Sequence, residues 1–551
     1  MDSKAIYKKW IEFARDEQIA AELVAMSGDE ELIESRFSGA LEFGTAGMRA
    51  KIGAGTNRMN IYTVQMATQG IADYMRANGG KSVAIAYDTR HNSDVFARSA
   101  ALVFAANGIK VYLFDSATSV SELSFAIRDL KCDGGVAITA SHNPKDYNGY
   151  KVYAPWGGQM LENDCEQIAQ YIGEQTDLSQ VKCADGTCAI DEGMLTMLGA
   201  DMDEKYYARL LGMTRNQEMI GKHAGSVKAV YTPLFGTGMR TFEGTIVKMP
   251  YMTSVVQTQE KPNPEFPGIS SPNPESEKTL ALAIAQAKRI GADIALGTDP
   301  DADRLGAAIP NENGEFVLMS GNQIGCVIID YLLRQQKQAG KLKPSDYIIK
   351  SFVSSRMADD MAARFGIECV TVPTGFKYVS DVVHNQYAPK GFVFGFEESC
   401  GFLAGDFVAD KDGIMAAMLL LEVMCECKAQ GVTMYERLDS LYEEYGWHME
   451  KLLTVMLDGE MDRVGQIMKG LRDNPPRMIG GQQVIELKDY LNDERELNVL
   501  FFTLENGWIC VRPSGTEPKL KVYYGVCGEI KQESAKLLGA LDTSAKELVG
   551  N

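Results

Sequence analysis

Short apolar runs that stop at polar loops, separated by stretches with helical apolar spacing, recur along most of this chain. Residues 3–18 carry helical spacing. Residues 83–87 then read as a strand entering Asp88-Thr89-Arg90, followed by a helix over 93–107 with Gly108 as its stop. A strand over 110–114, a helix over about 121–130 and the apolar run 136–138 complete the first series, and that last run opens onto Thr139-Ala140-Ser141-His142-Asn143-Pro144. The alternation predicts α/β layers.

The pattern then returns twice. Residues 228–231 run into Thr232-Pro233-Leu234-Phe235-Gly236-Thr237-Gly238, and, after a helix around 277–290, residues 293–296 run into Gly297-Thr298-Asp299. Farther on, 347–349 lead to Ser351, 369–372 to Pro373-Thr374-Gly375, and 392–394 to Gly395-Phe396-Glu397-Glu398-Ser399. The three series share a pattern without residue identity and predict a triplicated α/β unit. The prolines of 262–264 and 272–274 predict an extended surface loop inside the second unit. After Gly446 the texture changes: strands over 484–487, 499–504, 508–512 and 520–524 with intervening helices predict an α+β domain. The expected divisions are 1–200, 201–313, 314–445 and 446–551.

Composition agrees with several domains and narrows the function classes. A chain of 551 residues exceeds one hydrophobic core, and 45% apolar with 23% charged residues is a globular balance. A formal charge of -19 argues against a nucleic-acid or membrane-surface binder. The N-terminus lacks a signal-peptide core, and the most apolar helical stretch, 414–423, contains Glu422 and is too short to span a bilayer. A cytoplasmic protein with no membrane and no nucleic-acid partner is expected. The eleven cysteines form no paired C-x-x-C pattern, so reduced thiols are expected and zinc is not.

Three segments carry chemistry. Ser141 stands at a strand's C-terminal end, where open α/β sheets bind ligands, although a serine entering a turn is also an ordinary turn residue. Gly297-Thr298-Asp299-Pro300-Asp301-Ala302-Asp303-Arg304 places carboxylates at alternate positions, a hard-oxygen set suited to Mg²⁺. A calcium loop of the EF-hand type needs glycine sixth and glutamate twelfth; Arg304 and Pro310 occupy those places, so that reading fails. Arg512-Pro513-Ser514-Gly515-Thr516-Glu517-Pro518-Lys519 combines a guanidinium, two hydroxyls and a glycine in a phosphate cradle, or a basic turn.

Together these stretches resemble the α-D-phosphohexomutase superfamily over nearly the whole chain, with four motifs in the family's order: 139–144, 297–304, 395–401 and 512–519. Residues 43–49, 55–60 and 148–151 look most like its phosphoglucomutase and phosphopentomutase branch. The resemblance implies three related α/β domains plus a C-terminal α+β domain around a central cleft. It implies a phosphorylated Ser141, and Mg²⁺ held by that group with Asp299, Asp301 and Asp303. Lys151 matches the family's candidate acid/base, with a fixed electrostatic contact as the alternative, and Arg49 would stabilise charge. His142 is grouped with them, as a loop-shaping residue ahead of a proton carrier. Arg304 would orient the phosphoserine, and Glu397 and Ser399 would bind sugar hydroxyls, with Thr374 and Gly375 among the substrate-binding residues. Lys411, Arg512, Ser514, Gly515 and Thr516 would hold the phosphate that is not reacting.

Two positions depart from the family pattern. Ala50 replaces a usual glycine and is expected to tighten the loop carrying Arg49; Phe235 replaces a usual histidine and removes a possible polar contact. The expected reaction interconverts α-D-glucose 1-phosphate and glucose 6-phosphate through a phosphoserine, with glucose 1,6-bisphosphate as intermediate and activator. Alternatives within the class are mannose and pentose phosphates; outside it, a Mg²⁺-dependent sugar-phosphate phosphatase or a silent sugar-phosphate binder. The expected partners are small sugar phosphates, and the expected assembly is a monomer or dimer.

Overall fold

The computed structural model describes residues 2–44, 47–175, 178–387, 391–457, 461–493, 495–513 and 519–550, with the side chains of 461 and 462 excepted. Its contacts divide the chain into one unit of residues 1–349 and 375–434 and a second of residues 350–374 and 435–551.

The first unit begins with three helices, Ser3–Phe13, Glu17–Ala25 and Glu30–Phe37. The single helix expected over 3–18 is therefore two, because Ala14 turns extended and Asp16 caps the next helix through Ile19 N. Asp2 and Asp29 cap the other two in the same way. Tyr7, Trp10 and Phe37 are buried between these helices, beside Tyr62.

The first sheet runs Met48–Lys51, Tyr147–Tyr153, Gly135–Ile138, Ser82–Tyr87, Lys110–Phe114, Leu195–Leu198. Its last four strands are parallel, as strands joined by helical crossovers must be. Tyr147–Tyr153 runs antiparallel to both of its neighbours, so Met48–Lys51 points the same way as the other four; neither was legible as a strand, since both are polar at many positions. Ala50 lies in Met48–Lys51, paired with Asn148, so its methyl sits in a strand; the expected effect on a loop is corrected.

The second sheet repeats the plan. Met252–Val255, Lys228–Thr232 and Ile294–Thr298 are parallel, and Leu305–Pro310 then returns antiparallel to Ile294–Thr298 before Phe316–Met319. A third instance follows in Phe392–Glu397, which returns antiparallel as Gly401–Leu403, with the helices Gly321–Gln338 and Gly413–Gln430 beside it. In all three, a strand ends, a loop turns, and an antiparallel neighbour carries the chain back. Those three loops are 139–146, 299–304 and 398–400.

The second unit carries a six-stranded antiparallel sheet in the order Met449–Met456, Lys519–Val526, Gly507–Pro513, Leu500–Leu504, Gln482–Asp489, Met478–Ile479. Leu541 and Ala545 of the helix Lys531–Leu548 are buried in the same core as Leu520, Val522 and Tyr524 of that sheet. The fold class is thus α/β throughout most of the chain with an α+β C-terminal region. Among the described residues no helix is long and apolar enough to cross a membrane.

Gly149 shows how tightly the first sheet is drawn. A Cβ there would stand 2.5 Å from Thr139 O and 2.9 Å from Met48 O, both backbone atoms of neighbouring strand or loop. Gly149→Ala is expected to lower stability by about 1–3 kcal/mol, the usual cost of overpacking, read as a lower midpoint in thermal unfolding.

Candidate active site

Ser141 leaves the parallel strand Gly135–Ile138 with φ of 50°, in the left-handed region, and is buried. A side chain other than glycine rarely adopts that backbone, and such residues concentrate at functional sites. The other two returning loops each hold one as well: Ala302 at 57° and Cys400 at 61°. The loop carrying the serine, the loop carrying the aspartates and the loop after Glu397 therefore share one architectural device.

Arg90 holds the serine loop in place. Its side chain is wholly buried, with Nε 3.2 Å from Asp88 Oδ2. One terminal nitrogen donates to Ser141 O and Asn143 O at 2.5 Å each, the other to Pro144 O at 2.8 Å and Tyr147 O at 3.1 Å. The guanidinium also lies over the Phe266 ring, 5.2 Å from its centroid. Phe235 packs beside Phe266 at 6.4 Å between centroids, so the residue standing where the family has histidine continues an apolar wall behind Arg90. In the sequence Arg90 stands in a strand-end loop without a role; the signal was that loop's place at the end of Ser82–Tyr87, the strand next to the one that delivers Ser141.

The aspartates lie on the hairpin between Ile294–Thr298 and Leu305–Pro310, where Leu305 is the register partner of Thr298. Ala302 N donates to Asp299 O at 2.9 Å, and Gly413 N, heading the helix Gly413–Gln430, donates to Ala302 O at 3.0 Å. A Cβ on Gly413 would meet Arg304 O at 2.6 Å, so only glycine lets the helix approach this turn. All three carboxylates are fully buried, and one oxygen of each lies within 4.8 Å of the others.

The structure brings most of the predicted residues of the first unit to this point. Ser141 Oγ donates to Asp299 Oδ2 at 2.7 Å, and His142 Nδ1 is 3.2 Å from the same Oγ. Lys151, on the returning strand opposite Ala137, donates to Asp301 Oδ2 at 2.9 Å and lies 3.5 Å from Asp303 Oδ2. Lys411 donates to Asp303 Oδ2 at 2.6 Å. Thr139 Oγ1 donates to Asp301 Oδ2 at 3.2 Å. Arg49 reaches Asn143 Oδ1 at 2.9 Å.

Other residues are placed differently from the simplest expectation. Arg304 caps Asp299 with its backbone N–H at 3.0 Å, while its guanidinium pairs with Glu275. Glu397 accepts from Gly375 N at 2.6 Å, and Ser399 is half-buried in the turn beyond it. Ser271 of the proline-rich segment donates to His142 O at 2.5 Å, so that segment, expected as an extended surface loop, packs against the serine loop. Thr374 and Arg512 belong to the second unit, with Arg512 half-buried in the strand Gly507–Pro513. Ser514, Gly515 and Thr516, and Thr45 and Ala46 of the arginine-bearing stretch, lie outside the described residues.

Charge explains the protonation pattern. Burial, then the charges of Asp301 and Asp303, push the Asp299 carboxyl well above the ordinary range. Burial also works against the Asp301 carboxylate, but Lys151 and the proton on Asp299 outweigh it and hold Asp301 far below that range. Burial pulls Lys151 down, yet Asp301 and Asp303 overcome it and its ammonium is strengthened. Burial, then Arg304 and Arg49, depresses His142 well below the usual histidine value; it is a neutral imidazole. Burial raises the Glu397 carboxyl.

The donor set fits a divalent cation. Asp301 Oδ1 and Asp303 Oδ1 are buried without a hydrogen-bond partner among the described residues, a costly state for carboxylate oxygens. Three hard oxygens converging in this way suit Mg²⁺ with positions left for a phosphate oxygen and water.

Comparison with known proteins supplies the family context. The description "Phosphoglucomutase/phosphomannomutase, alpha/beta/alpha domain I" matches residues 40–179, domain II 204–314, domain III 320–445, and the C-terminal domain 476–534. The chain is 34% identical over 533 residues to a phosphoglucomutase of Staphylococcus aureus (strain MSSA476), covering 93% of this chain and 94% of the relative. Among solved structures it is similar to the Paramecium phosphoprotein pp63/parafusin, a phosphoglucomutase, in its open form, with a TM-score of 0.73 at 18% identity over 94% of this chain and 95% of the other. It is also similar to an Aspergillus fumigatus N-acetylphosphoglucosamine mutase variant in complex with glucose 1,6-bisphosphate, with a TM-score of 0.50 at 14% identity over 100% of this chain and 98% of the other.

Proposed function

We propose, for a chain that belongs to the phosphoglucomutase/phosphomannomutase family and is accordingly a mutase of the isomerase class, that it interconverts α-D-glucose 1-phosphate and glucose 6-phosphate by way of a phosphorylated Ser141. One observation carries the reading: Ser141 Oγ lies 2.7 Å from Asp299 in a buried triad of aspartates flanked by two lysines. The relatives' name favours glucose phosphate over the mannose and pentose alternatives.

In the proposed cycle the phosphoryl group on Ser141 passes to the free hydroxyl of the sugar monophosphate. The serine O–P bond breaks, a new sugar O–P bond forms, the proton lost by the sugar hydroxyl ends on Ser141 Oγ, and the bound product is glucose 1,6-bisphosphate, the ligand named in the Aspergillus complex. The bisphosphate then returns its other phosphoryl group to Ser141. Asp299, Asp301 and Asp303, with the phosphoserine, would hold Mg²⁺, whose charge offsets that on the transferring phosphoryl group.

The chain's own residues account for the rest. Arg90 fixes the serine loop through four carbonyls, so Oγ needs little reorganisation to meet the substrate. Lys151 carries its proton in this arrangement and is paired with two aspartates, which supports a fixed positive charge facing the transferred group ahead of the alternative, proton transfer. His142, neutral and in contact with Oγ, supports loop shape ahead of proton transfer. Glu397 offers an acceptor for sugar hydroxyls, and Ser399 both donor and acceptor. The distal phosphate falls to the 512–519 loop by the family resemblance.

A coupled assay with glucose 1-phosphate, mannose 1-phosphate and ribose 1-phosphate, with and without glucose 1,6-bisphosphate, tests the proposal. The expected order of kcat/KM places glucose 1-phosphate first, at least about tenfold above ribose 1-phosphate, a difference of about 1.4 kcal/mol. The bisphosphate is expected to raise the initial rate. A ribose preference would replace the substrate, and steady release of inorganic phosphate at the mutase rate would replace the reaction with hydrolysis.

A further inference from the structure

The first unit has a second polar cavity, separate from the aspartate loop, of about 240 Å³. It is lined by Arg215, from the connection between the helices Ala200–Leu211 and Gln217–His223, and by the C-terminal end of Gly321–Gln338 with the turn after it. Gln335, Gln336, Ala339, Lys341 and Lys343 come from that second segment, and Phe392 and Val393 from the start of the strand that leads to Glu397.

Its charge is opposite to that of the protein. In a chain of net charge -19, most lysines and arginines near a carboxylate are paired with it. Arg215, Lys341 and Lys343 have no ion-pair partner among the described residues, yet all three line one cavity. Two carboxylates face them. Asp346 accepts from Lys343 N at 2.8 Å, and the buried Glu422 accepts from Arg215 N and Asn216 N at 2.8 and 2.6 Å and from Tyr331 Oη at 2.8 Å. These hydrogen bonds leave both carboxylates their charge, and Glu422 attracts the Arg215 guanidinium, so the three cations outnumber the two carboxylates by one. The side-chain amide of Gln336 adds a further donor at the rim, while that of Gln335 donates to Glu426 at 3.3 Å.

We propose that this cavity binds a small phosphate ester, distinct from the substrate at the aspartate site. The guanidinium and the two ammonium groups are the charged donors that a phosphate group takes, and Phe392 and Ala339 provide an apolar wall for a short carbon skeleton. The volume lies just under the usual range for small-molecule pockets, roughly 300–1,000 Å³, which selects a compact ligand. A bound ester bridges Arg215 to Lys341 and Lys343 and so ties the segment leading to the second sheet to the segment that begins the third.

Equilibrium dialysis of the full chain against radiolabelled glycerol phosphate tests this, with glycerol and inorganic phosphate in parallel. The wild type is expected to bind one equivalent more than the variant Arg215→Gln/Lys341→Gln/Lys343→Gln, or to bind that equivalent at least tenfold more tightly, while glycerol does not bind. Lys222→Gln/Lys469→Gln/Lys546→Gln, which removes the same charge from exposed paired sites, is expected to keep the extra equivalent. The pair Lys341→Gln/Lys343→Gln serves if the triple variant is unstable. Equal binding by wild type and cavity variants overturns the proposal, and so does equal loss in the control variant, since the effect is then net charge alone. Mutase turnover without the ester, measured on every variant, is expected to stay within twofold, so failure of the pocket and failure of the proposed reaction are read separately.

Discussion

Ser141→Ala is expected to lower the mutase kcat by roughly 10⁴–10⁶-fold, the scale on which a lone catalytic nucleophile registers when removed. In the folded chain Oγ donates to Asp299 and lies 3.2 Å from His142 Nδ1, so its deletion costs stability only about 1–3 kcal/mol. The loop itself is held by Arg90 through backbone carbonyls, one of them that of residue 141, and those bonds survive the substitution. The variant should therefore fold and bind sugar phosphate while losing turnover. Intact-mass measurement after incubation with glucose 1,6-bisphosphate should show a phosphoryl group on the wild type and none on the variant. A variant that retained more than about one hundredth of the wild-type kcat, or a wild type that never acquired a phosphoryl group, would remove the phosphoserine from the mechanism; the threshold is about 2.7 kcal/mol of transition-state stabilisation.

The chemistry was legible where it depends on residue type in short loops, and less so where it depends on topology. Alternate aspartates after a strand announce themselves, because three carboxylates in five residues rarely serve packing. The parallel strands were equally plain, since burial on both faces makes them continuous apolar runs. Tyr147–Tyr153 escaped because its sequence, with Asn148, Gly149 and Lys151, is polar where a strand signal needs apolar alternation. That strand nonetheless puts Lys151 against Asp301. Arg90 escaped for a different reason. Its partners are backbone carbonyls more than fifty residues away, and no sequence pattern marks a carbonyl as an acceptor waiting for a cation. The left-handed residues Ser141, Ala302 and Cys400 were hidden too, because each is a residue type with no preference for that backbone, although each lies in a loop between a strand and its antiparallel return.

Proton balance at the aspartates also bears on the reading of Lys151. The sequence allowed it to be a base only if its pKa were lowered, and the two carboxylates beside it do the opposite. The same carboxylates are those that would hold Mg²⁺, so cation binding and the lysine's proton are linked through one set of oxygens. Asp299 is the complementary case: its carboxyl is pushed up by burial and by Asp301 and Asp303, and it must lose its proton to serve as a ligand. Mg²⁺ affinity should therefore strengthen as pH rises through the raised Asp299 pKa, and binding should release a proton, detectable by calorimetry in two buffers of different ionisation enthalpy.

Asp301→Asn is the second substitution expected to have a large effect, because this carboxylate serves two partners at once. It offers Oδ2 to Lys151 and Thr139 and keeps Oδ1 free of hydrogen bonds among the described residues. The amide preserves shape but removes one of the three negative charges that would hold Mg²⁺, and it presents an N–H₂ donor to a site built from acceptors. Loss of this preorganised charge is expected to reduce kcat/KM by about 10²–10³-fold, the range found when one electrostatic contact to a reacting group is deleted, and to raise the Mg²⁺ concentration needed for half-maximal rate by at least about tenfold, or 1.4 kcal/mol. The stability change has two opposed parts. Relief of repulsion with Asp303 stabilises the variant, while protonated Asp299 loses its charged acceptor and Lys151 loses its nearer partner and keeps only Asp303 at 3.5 Å. The depressed Asp301 pKa gives the sign: the carboxylate contributes stability above its unfolded value, near pH 4, and loses that contribution as pH falls through the lower folded value. The variant should accordingly be less stable than the wild type at neutral pH in the absence of Mg²⁺, with the difference narrowing in acid. Thermal unfolding at two pH values and a Mg²⁺ titration of the rate give both readings on one preparation; an unchanged Mg²⁺ requirement would take Asp301 out of the cation site even if the rate fell.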